Sequence, residues 1–264
     1  MDERFLEGKR LGGDVLWRYI HGFAVGDAFG LPHEFKQISF LNDRKFEFVT
    51  GSHDKEPGTI SDDTSMLLAT SHGGSSVDRL SEEMRSWFLD GRHSMGEVFD
   101  IGINTYKTLF QKGDKNGPRG SGAGAICRVA PSVLLYGELD VKHITLTNVQ
   151  DDVLQAAFRY EELLLGRTPQ KNVIEELKTV PGGGYVKDVL VVVEYIYAMA
   201  LEGKLGYEDT MLACLPLTTD TDTVCALVGG LWALAFPEER IPIPPNNLLT
   251  FLDKWRGEYT FYEK

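Results

Sequence analysis

Residues 186–203 read VKDVLVVVEYIYAMALEG, and the conformation of this run decides the fold class. Its valines would suit a β-strand, but an ordinary strand has only about 5–6 residues, and this run is much longer. Apolar side chains on nearly all sides are typical of a helix at the centre of a protein. The run therefore predicts a central helix over residues 186–202.

Helical patterns dominate the rest of the chain as well. The clearest is DDVLQAAFRYEELLLG at residues 151–166, which has acidic residues in its first turn and a glycine at its end. Two short stretches alternate as strands do, KFEFVT at 45–50 and VKHITLT at 141–147, but neither belongs to a βαβ series. No linker separates two compositions, so the sequence predicts one all-α domain over residues 1–264. Helices are predicted over residues 14–29, 64–71, 81–90, 96–111, 124–136, 150–165, 171–178, 186–202, 206–214 and 223–235.

Composition and charge exclude several classes of protein. The 264 residues include 27 basic and 39 acidic side chains, for a formal net charge of -12. Binding to nucleic acid or to an anionic membrane needs a basic surface, so neither partner is expected. The N-terminal MDERFLEGKR lacks the apolar core of a secretory signal, and the apolar run at 224–236 is too short to span a bilayer. The three cysteines have no CxxC spacing, which argues against a disulfide framework and a structural zinc site. We expect a cytoplasmic monomer.

Two acidic stretches each precede an apolar helix: ISDDTSM at residues 60–66 and TTDTDTV at residues 218–224. Carboxylate and hydroxyl oxygens, without histidine or cysteine, suit hard cations such as Mg²⁺ or Mn²⁺ rather than Zn²⁺. Adjacent aspartates diverge by about 100° on a helical path, so they would serve two ions, or one ion and its water shell. The carboxylates are those of Asp62, Asp63, Asp220 and Asp222, and the hydroxyl neighbours are Ser61, Thr64, Thr221 and Thr223.

The same stretches allow other interpretations. Asp, Ser and Thr are the preferred N-cap residues of helices, so each acidic pair could be a cap and nothing more. DTDTV also resembles the nucleophile motif of haloacid dehalogenase phosphatases, but Pro216 interrupts the strand that should precede it. An EF-hand loop is excluded because no glycine or terminal glutamate falls at the required offsets. The occurrence of two such stretches in one chain favours metal binding.

Two glycine patterns lie outside the acidic stretches. HGFAVGDAFGLPHEF at 21–35 places glycines every fourth residue on one helix face, where another helix or a ligand can approach closely. Glu34 follows the predicted helix end and is a candidate acid, base or metal-shell residue. RGSGAGAICRVAP at 119–131 leads glycines into a helix start, as phosphate-binding loops do. No strand precedes this loop and no GK[ST] follows, so neither a Rossmann nor a Walker motif is present.

These motifs occur together and in this order in one known family. The sequence resembles the ADP-ribosylglycohydrolases, of the type that includes the dinitrogenase reductase-activating glycohydrolase. The resemblance extends from about residue 22 to residue 236 and implies a compact orthogonal all-α bundle. It also implies two divalent cations, Mg²⁺ or Mn²⁺, and hydrolysis of the bond between ADP-ribose and a protein side chain, above all arginine. The matching motifs are GFAVGDAFGLPHEF, GTISDDTSM, FDIG, GAGAICRVAP, GGGYVKDVL and TTDTDTVCALVGGLWAL.

The resemblance also implies roles for individual residues. The partner would be an ADP-ribosylated protein or an ADP-ribosyl small molecule. The implied metal ligands are Ser61, Asp62, Asp63, Asp220, Asp222 and Thr223. The implied catalytic residues are Glu34, Asp100 and Asp63. The implied substrate-binding residues are Gly122, Ala123, Gly124, Asn148 and Tyr185, with the loop at 122–124 taking the pyrophosphate.

Several positions depart from the family pattern. Thr218-Thr219 stands where the family has two glycines, Ala123 where it has asparagine, Cys127 where it has methionine, and Asn148 where it has histidine. Every implied metal position keeps an oxygen ligand, whereas several implied substrate contacts do not. Metal binding is therefore expected to persist. A catalytically silent ADP-ribose binder or protein-interaction relative, and a hydrolase of another ADP-ribosyl linkage, remain alternatives.

Overall fold

The computed structural model describes residues 12–38, 45–111, 120–169, 173–259 and 261, and its regular secondary structure is helical. Within these residues no strand forms, and the sole β-type pairing is an isolated antiparallel bridge between Gly122 and Tyr185. The all-α prediction is confirmed. The helices are α1 (Gly13–Gly30), α2 (Asp62–Gly73), α3 (Val77–Asp90), α4 (Ile103–Phe110), α5 (Ala130–Tyr136), α6 (Lys142–Thr145), α7 (Asp151–Leu164), α8 (Val173–Leu177), α9 (Val186–Gly203), α10 (Tyr207–Cys214), α11 (Thr221–Ala235) and α12 (Asn246–Glu258).

Helices α1 and α11 form the centre of the molecule, and small residues let them approach closely. A Cβ atom added at Gly26 would lie 2.2 Å from the carbonyl oxygen of Cys225, and one at Gly30 would lie 2.3 Å from that of Thr221. The glycine stripe predicted from the sequence therefore faces a helix. This contact fixes the end of α1 beside the start of α11.

The buried core surrounds this pair. Helix α9 packs against α11 and α7, as expected for the central helix predicted at 186–202. Buried hydroxyls are bonded inside the core: Tyr160 Oη lies 2.8 Å from Tyr19 Oη and donates to the carbonyl of Leu227 at 2.9 Å. In the described part of the chain, no helix combines the length and apolar character needed to cross a bilayer.

Several segments differ from the sequence predictions. The helix predicted at 96–111 begins only at Ile103, because Gly96 and Asp100 have positive φ values, 129° and 55°, that a right-handed helix does not allow. The alternating stretch at 141–147 contains α6, and that at 45–50 is irregular. Helix α12 was not predicted, although its buried Leu248, Leu252 and Trp255 follow helical spacing.

Candidate active site

The start of α2 is organised by a buried carboxylate that sequence reasoning missed. Asp27, from α1, accepts hydrogen bonds from the N–H groups of Ser61 and Thr64 at 3.1 Å and from Thr64 Oγ1 at 2.5 Å. Burial raises the pKa of Asp27 to about 6, although these hydrogen bonds oppose the rise. Ser61 is the N-cap, and its Oγ accepts from the N–H of Asp63 at 3.1 Å. Because Asp27 and Ser61 satisfy the first amides, capping does not account for the carboxylates of the two aspartates that follow.

Asp63 joins three elements of the fold. Its Oδ2 accepts a 2.6 Å hydrogen bond from Thr223 Oγ1 of α11, and its Oδ1 accepts a 3.2 Å hydrogen bond from Cys127 Sγ. The side chain is buried. Burial and the neighbouring charges of Asp27 and Asp220 raise the pKa of Asp63 to about 8. The two acidic stretches of the sequence therefore meet in space.

Asp62 points to different partners from Asp63, as expected for consecutive helical residues. Its Oδ2 accepts a 3.2 Å hydrogen bond from the N–H of Gly102, in the FDIG turn. Burial and the charge of Asp63 raise its pKa well above the usual value. A cavity of about 180 Å³ opens beside Asp62, with Trp87 and Phe99 in its wall. Ligand pockets usually enclose about 300–1,000 Å³, so this cavity would take only part of a nucleotide-sized ligand.

The start of α11 presents the second pair of aspartates. Asp220 occupies the N-cap position, but its side chain makes no capping hydrogen bond. Asp222 is buried, and its Oδ1 has no hydrogen-bond partner. Burial and the charges of Asp220 and Glu34 raise the pKa of Asp222 well above its usual value. A buried carboxylate oxygen without a partner is costly, and a bound cation would satisfy it.

Glu34 links the α11 aspartates to a second group of side chains. One carboxylate oxygen from each of Glu34, Asp220 and Asp222 lies within 4.8 Å of the others. Glu34 Oε2 is also 2.5 Å from His53 Nε2, which in turn lies 3.8 Å from Asp100 Oδ2. Burial and the charges of Asp100 and Asp220 raise the pKa of Glu34 to about 9. Sequence reasoning did not select His53. Its one signal in the sequence is its position in the loop that precedes the first acidic stretch.

The donor set fits divalent cations. Its carboxylate and hydroxyl oxygens are hard ligands of the kind that Mg²⁺ and Mn²⁺ prefer. The pKa values of Asp62, Asp63 and Asp222 are raised by burial and then by mutual repulsion, so the group carries its full negative charge most readily with a cation present. No donor among the described residues bonds to Oδ1 of Asp222, so this oxygen is available to a cation.

The glycine loop passes directly beside this acidic cluster. A Cβ atom added at Gly124 would lie 3.4 Å from Asp63 Oδ1. The N–H of Ala123 donates to the carbonyl of Gly184 at 3.1 Å, so this amide is not free to bind an anion. Gly122 is exposed. The predicted phosphate cradle is thus reduced to the amides of Gly122 and Gly124.

Asn148 and Tyr185 lie at the edges of the same loop. Asn148 is buried, and its amide group donates to the carbonyl of Gly120 while it accepts from Thr147 Oγ1 at 2.6 Å. Tyr185 is 40% exposed, and its hydroxyl donates to Asp152 Oδ2 at 2.6 Å. The side chain of Asn148 is therefore bonded to the backbone at the start of the loop, and that of Tyr185 to the start of α7.

Comparison with known proteins identifies the family and the fold of the chain. The sequence model of the family described as ADP-ribosylglycohydrolase matches residues 18–160 and 140–256. The chain belongs to the ADP-ribosylglycohydrolase family. A solved structure named "ADP-ribosylglycohydrolase-related protein complex" superposes with a TM-score of 0.68 at 22% identity, over 92% of this chain and 95% of that chain. This likeness confirms the expected fold. No curated protein sequence shows a significant match.

The chain accommodates Thr218-Thr219 through the loop at 182–184. The hydroxyls of Thr218 and Thr219 donate to the carbonyl of Gly182 at 3.1 and 3.2 Å. The same loop brings Gly184 so close to Asp220 that a Cβ atom there would lie 3.0 Å from its Oδ2. The two threonines therefore tie this loop to the start of α11.

Proposed function

We propose that the protein hydrolyses the glycosidic bond between ADP-ribose and a protein arginine side chain, in a reaction that depends on two Mg²⁺ or Mn²⁺ ions. It would thereby reverse mono-ADP-ribosylation. Membership of a glycohydrolase family supports the reaction class. The observation that carries the metal dependence is the contact between the two acidic stretches, with Asp222 Oδ1 buried and unpartnered.

The two helix starts would hold the ions. When bound, the cations would supply Lewis-acid polarisation of a water and of ribose hydroxyls. The hydrogen bond from Thr223 orients the carboxylate of Asp63, and the hydrogen bond from the N–H of Ser61 to Asp27 fixes the start of α2. Both are made by the protein alone, before any ion binds. The proposed ligands are Ser61, Asp62 and Asp63 from α2 and Asp220, Asp222 and Thr223 from α11.

Three carboxyl groups would carry the chemistry. Cleavage through an oxocarbenium-like state needs a water deprotonated at its attack on the anomeric carbon and a proton delivered to the leaving nitrogen. Glu34 and Asp100 lie beside the same histidine: His53 Nε2 is 2.5 Å from Glu34 Oε2 and 3.8 Å from Asp100 Oδ2. We assign this acid–base work to Glu34 and Asp100. Asp63, fixed by Thr223, would orient the water.

The glycine loop would receive the ADP part of the substrate. The amides of Gly122 and Gly124 would bind the pyrophosphate, while Ala123 contributes its buried methyl group to the loop. Asn148 and Tyr185 would shape this subsite from its edges. The ligand would be an ADP-ribosylated protein or an ADP-ribosyl small molecule. We infer a single-domain monomer in the cytoplasm from the composition and from cysteines that are all unpaired and buried.

Release of ADP-ribose from an arginine-ADP-ribosylated protein tests the proposal. The wild-type protein is incubated with Mg²⁺ or Mn²⁺, and in parallel with excess EDTA, and free ADP-ribose is quantified. Metal-dependent release is expected, and the double variant Asp220→Asn/Asp222→Asn should lose both release and Mn²⁺ binding. Full activity in that variant would overturn the metal role. Tight ADP-ribose binding without release from arginine, serine or O-acetyl linkages would instead identify a silent binder.

A further inference from the structure

Phe35 is an exposed aromatic residue beside the acidic cluster, and neither the fold nor the proposed mechanism uses it. Its side chain is 69% exposed, although it directly follows the buried Glu34. A single exposed apolar side chain is common on protein surfaces and indicates nothing by itself. The backbone conformation and the neighbours of Phe35 distinguish it from the other exposed rings.

The backbone holds Phe35 in an unfavourable conformation. Its φ is 62°, in the left-handed region that bulky residues rarely adopt. The conformation is fixed by a 2.8 Å hydrogen bond from the N–H of Phe35 to the carbonyl of Thr219, the residue before Asp220. Strain of this kind persists where the surrounding structure imposes it, often at ligand sites. The α11 loop therefore sets the position of the ring.

Two further rings extend this surface. The centroid of the His53 ring is 5.7 Å from that of Phe35 and 5.4 Å from that of Phe99. Lys55 already places its ammonium group 4.5 Å from the Phe99 centroid. This contact shows that a cation can be accommodated on an aromatic face in this acidic surrounding.

The nearby charges determine which part of a substrate Phe35 suits. His53, against which Phe35 packs, bridges the carboxyl groups of Glu34 and Asp100. Carboxyl oxygens accept hydrogen bonds from a cationic donor, and a pyrophosphate, which is itself an acceptor, cannot supply one. A planar guanidinium can stack on an aromatic ring while it donates to a neighbouring carboxylate, whereas a serine linkage offers no such group.

We propose that Phe35 is a specificity-determining residue whose ring receives the guanidinium of the target arginine, with Asp100 as the acceptor beside it. The inference rests on the proposed glycohydrolase function. It goes further by assigning the leaving-group side of the site to a named side chain. The left-handed conformation imposed by Thr219 keeps this ring exposed to the incoming side chain.

Two variants remove the ring by different routes. Phe35→Leu keeps an apolar side chain, and Phe35→Gly relieves the backbone strain, so a shared effect belongs to the ring and not to folding. Both should lower kcat/KM for an arginine-ADP-ribosylated peptide by about 3- to 30-fold, while the Kd for Mn²⁺ stays at the wild-type value. Phe35→Tyr should restore the rate. Phe158→Leu, at a 48% exposed phenylalanine of α7, is the matched control.

A second readout separates this inference from the proposed function. Agmatine, a free guanidinium probe, is titrated with each protein, and the broadening of its proton NMR resonances is measured. Stronger broadening by wild type than by Phe35→Leu is expected even if no ADP-ribose is released, in which case only the proposed function fails. Equal broadening by both proteins overturns the assignment of Phe35. An active wild type with unchanged kcat/KM in both ring-deleted variants overturns it as well.

Discussion

Thr223 Oγ1 donates a 2.6 Å hydrogen bond to Asp63 Oδ2 and so joins two acidic stretches that lie 160 residues apart in the chain. The contact forms between the starts of two helices, α2 and α11. Each helix start directs the positive end of its dipole towards the carboxylates that gather there. The oxygens proposed to bind cations are therefore held close together by the protein's own hydrogen bonds.

Replacing Asp63 should remove metal binding. In Asp63→Asn one carboxylate oxygen and its charge are lost, while the shape of the side chain is kept. Loss of an outer-shell partner alone lowers metal affinity by about 10- to 100-fold, so removal of a proposed ligand should weaken Mn²⁺ binding by at least that factor. Isothermal titration with Mn²⁺ measures the effect. Asp14→Asn, at a fully exposed carboxylate, should bind as wild type does; wild-type affinity in Asp63→Asn would contradict the assignment.

Asp27 should matter for stability as much as for the site. Asp27→Ala would leave the amides of Ser61 and Thr64 without their acceptor in a buried place. Removing buried acceptors of this kind should lower the free energy of unfolding by roughly 2–5 kcal/mol. Urea denaturation of the metal-free protein measures the loss. Asp27→Asn keeps one acceptor oxygen and should lose less; equal stability of Asp27→Ala and wild type would contradict this role.

The contact between α1 and α11 predicts a strong dependence on side-chain size. In Gly26→Ala the added Cβ atom would lie 2.2 Å from the carbonyl of Cys225, so the helices must separate. Overpacking typically costs about 1–3 kcal/mol and sometimes more. Thermal unfolding should show a clear loss of Tm. Gly257→Ala, on α12 with no atom within 4 Å of the added Cβ, should keep or raise Tm, and the opposite order of the two variants would refute the contact.

Parts of this arrangement could be predicted from the sequence because their signals are local. The four-residue glycine spacing of α1 and the length of the run at 186–203 are visible in one stretch each, and both predictions agree with the structure. The two acidic stretches were recognisable by residue type, and the family resemblance supplied the expectation that they would meet. The irregular turns before Ile103 leave no periodic pattern in the sequence, so the helix predicted at 96–111 was longer than α4.

Other parts depend on contacts between distant residues and left no local pattern. Asp27 lies within an apolar helix, and only the position of α2 reveals that its carboxylate accepts amides. His53 belongs to an irregular loop, and its bond to Glu34 depends on how that loop folds back over α1. The exposure of Phe35 depends on the carbonyl of Thr219, which is far away in sequence.

A buried histidine should make stability depend on pH. Burial lowers the pKa of His93, although its hydrogen bond to Glu83 opposes the shift, and its Nδ1 accepts from Trp255 Nε1 at 2.8 Å. The unfolded chain, with a histidine pKa of about 6.5, therefore binds more protons than the folded one as the pH falls. Neutral His93 therefore contributes its full stability at pH values above about 6.5, and this contribution is lost as the pH falls below that value. His93→Gln should thus cost more free energy of unfolding at pH 7.5 than at pH 5.5, as measured by urea denaturation. The acidic cluster gives stability the opposite pH dependence, and comparing the variant with wild type at each pH cancels that contribution. A larger cost of the substitution at pH 5.5 than at pH 7.5 would contradict the neutral, buried state of this ring.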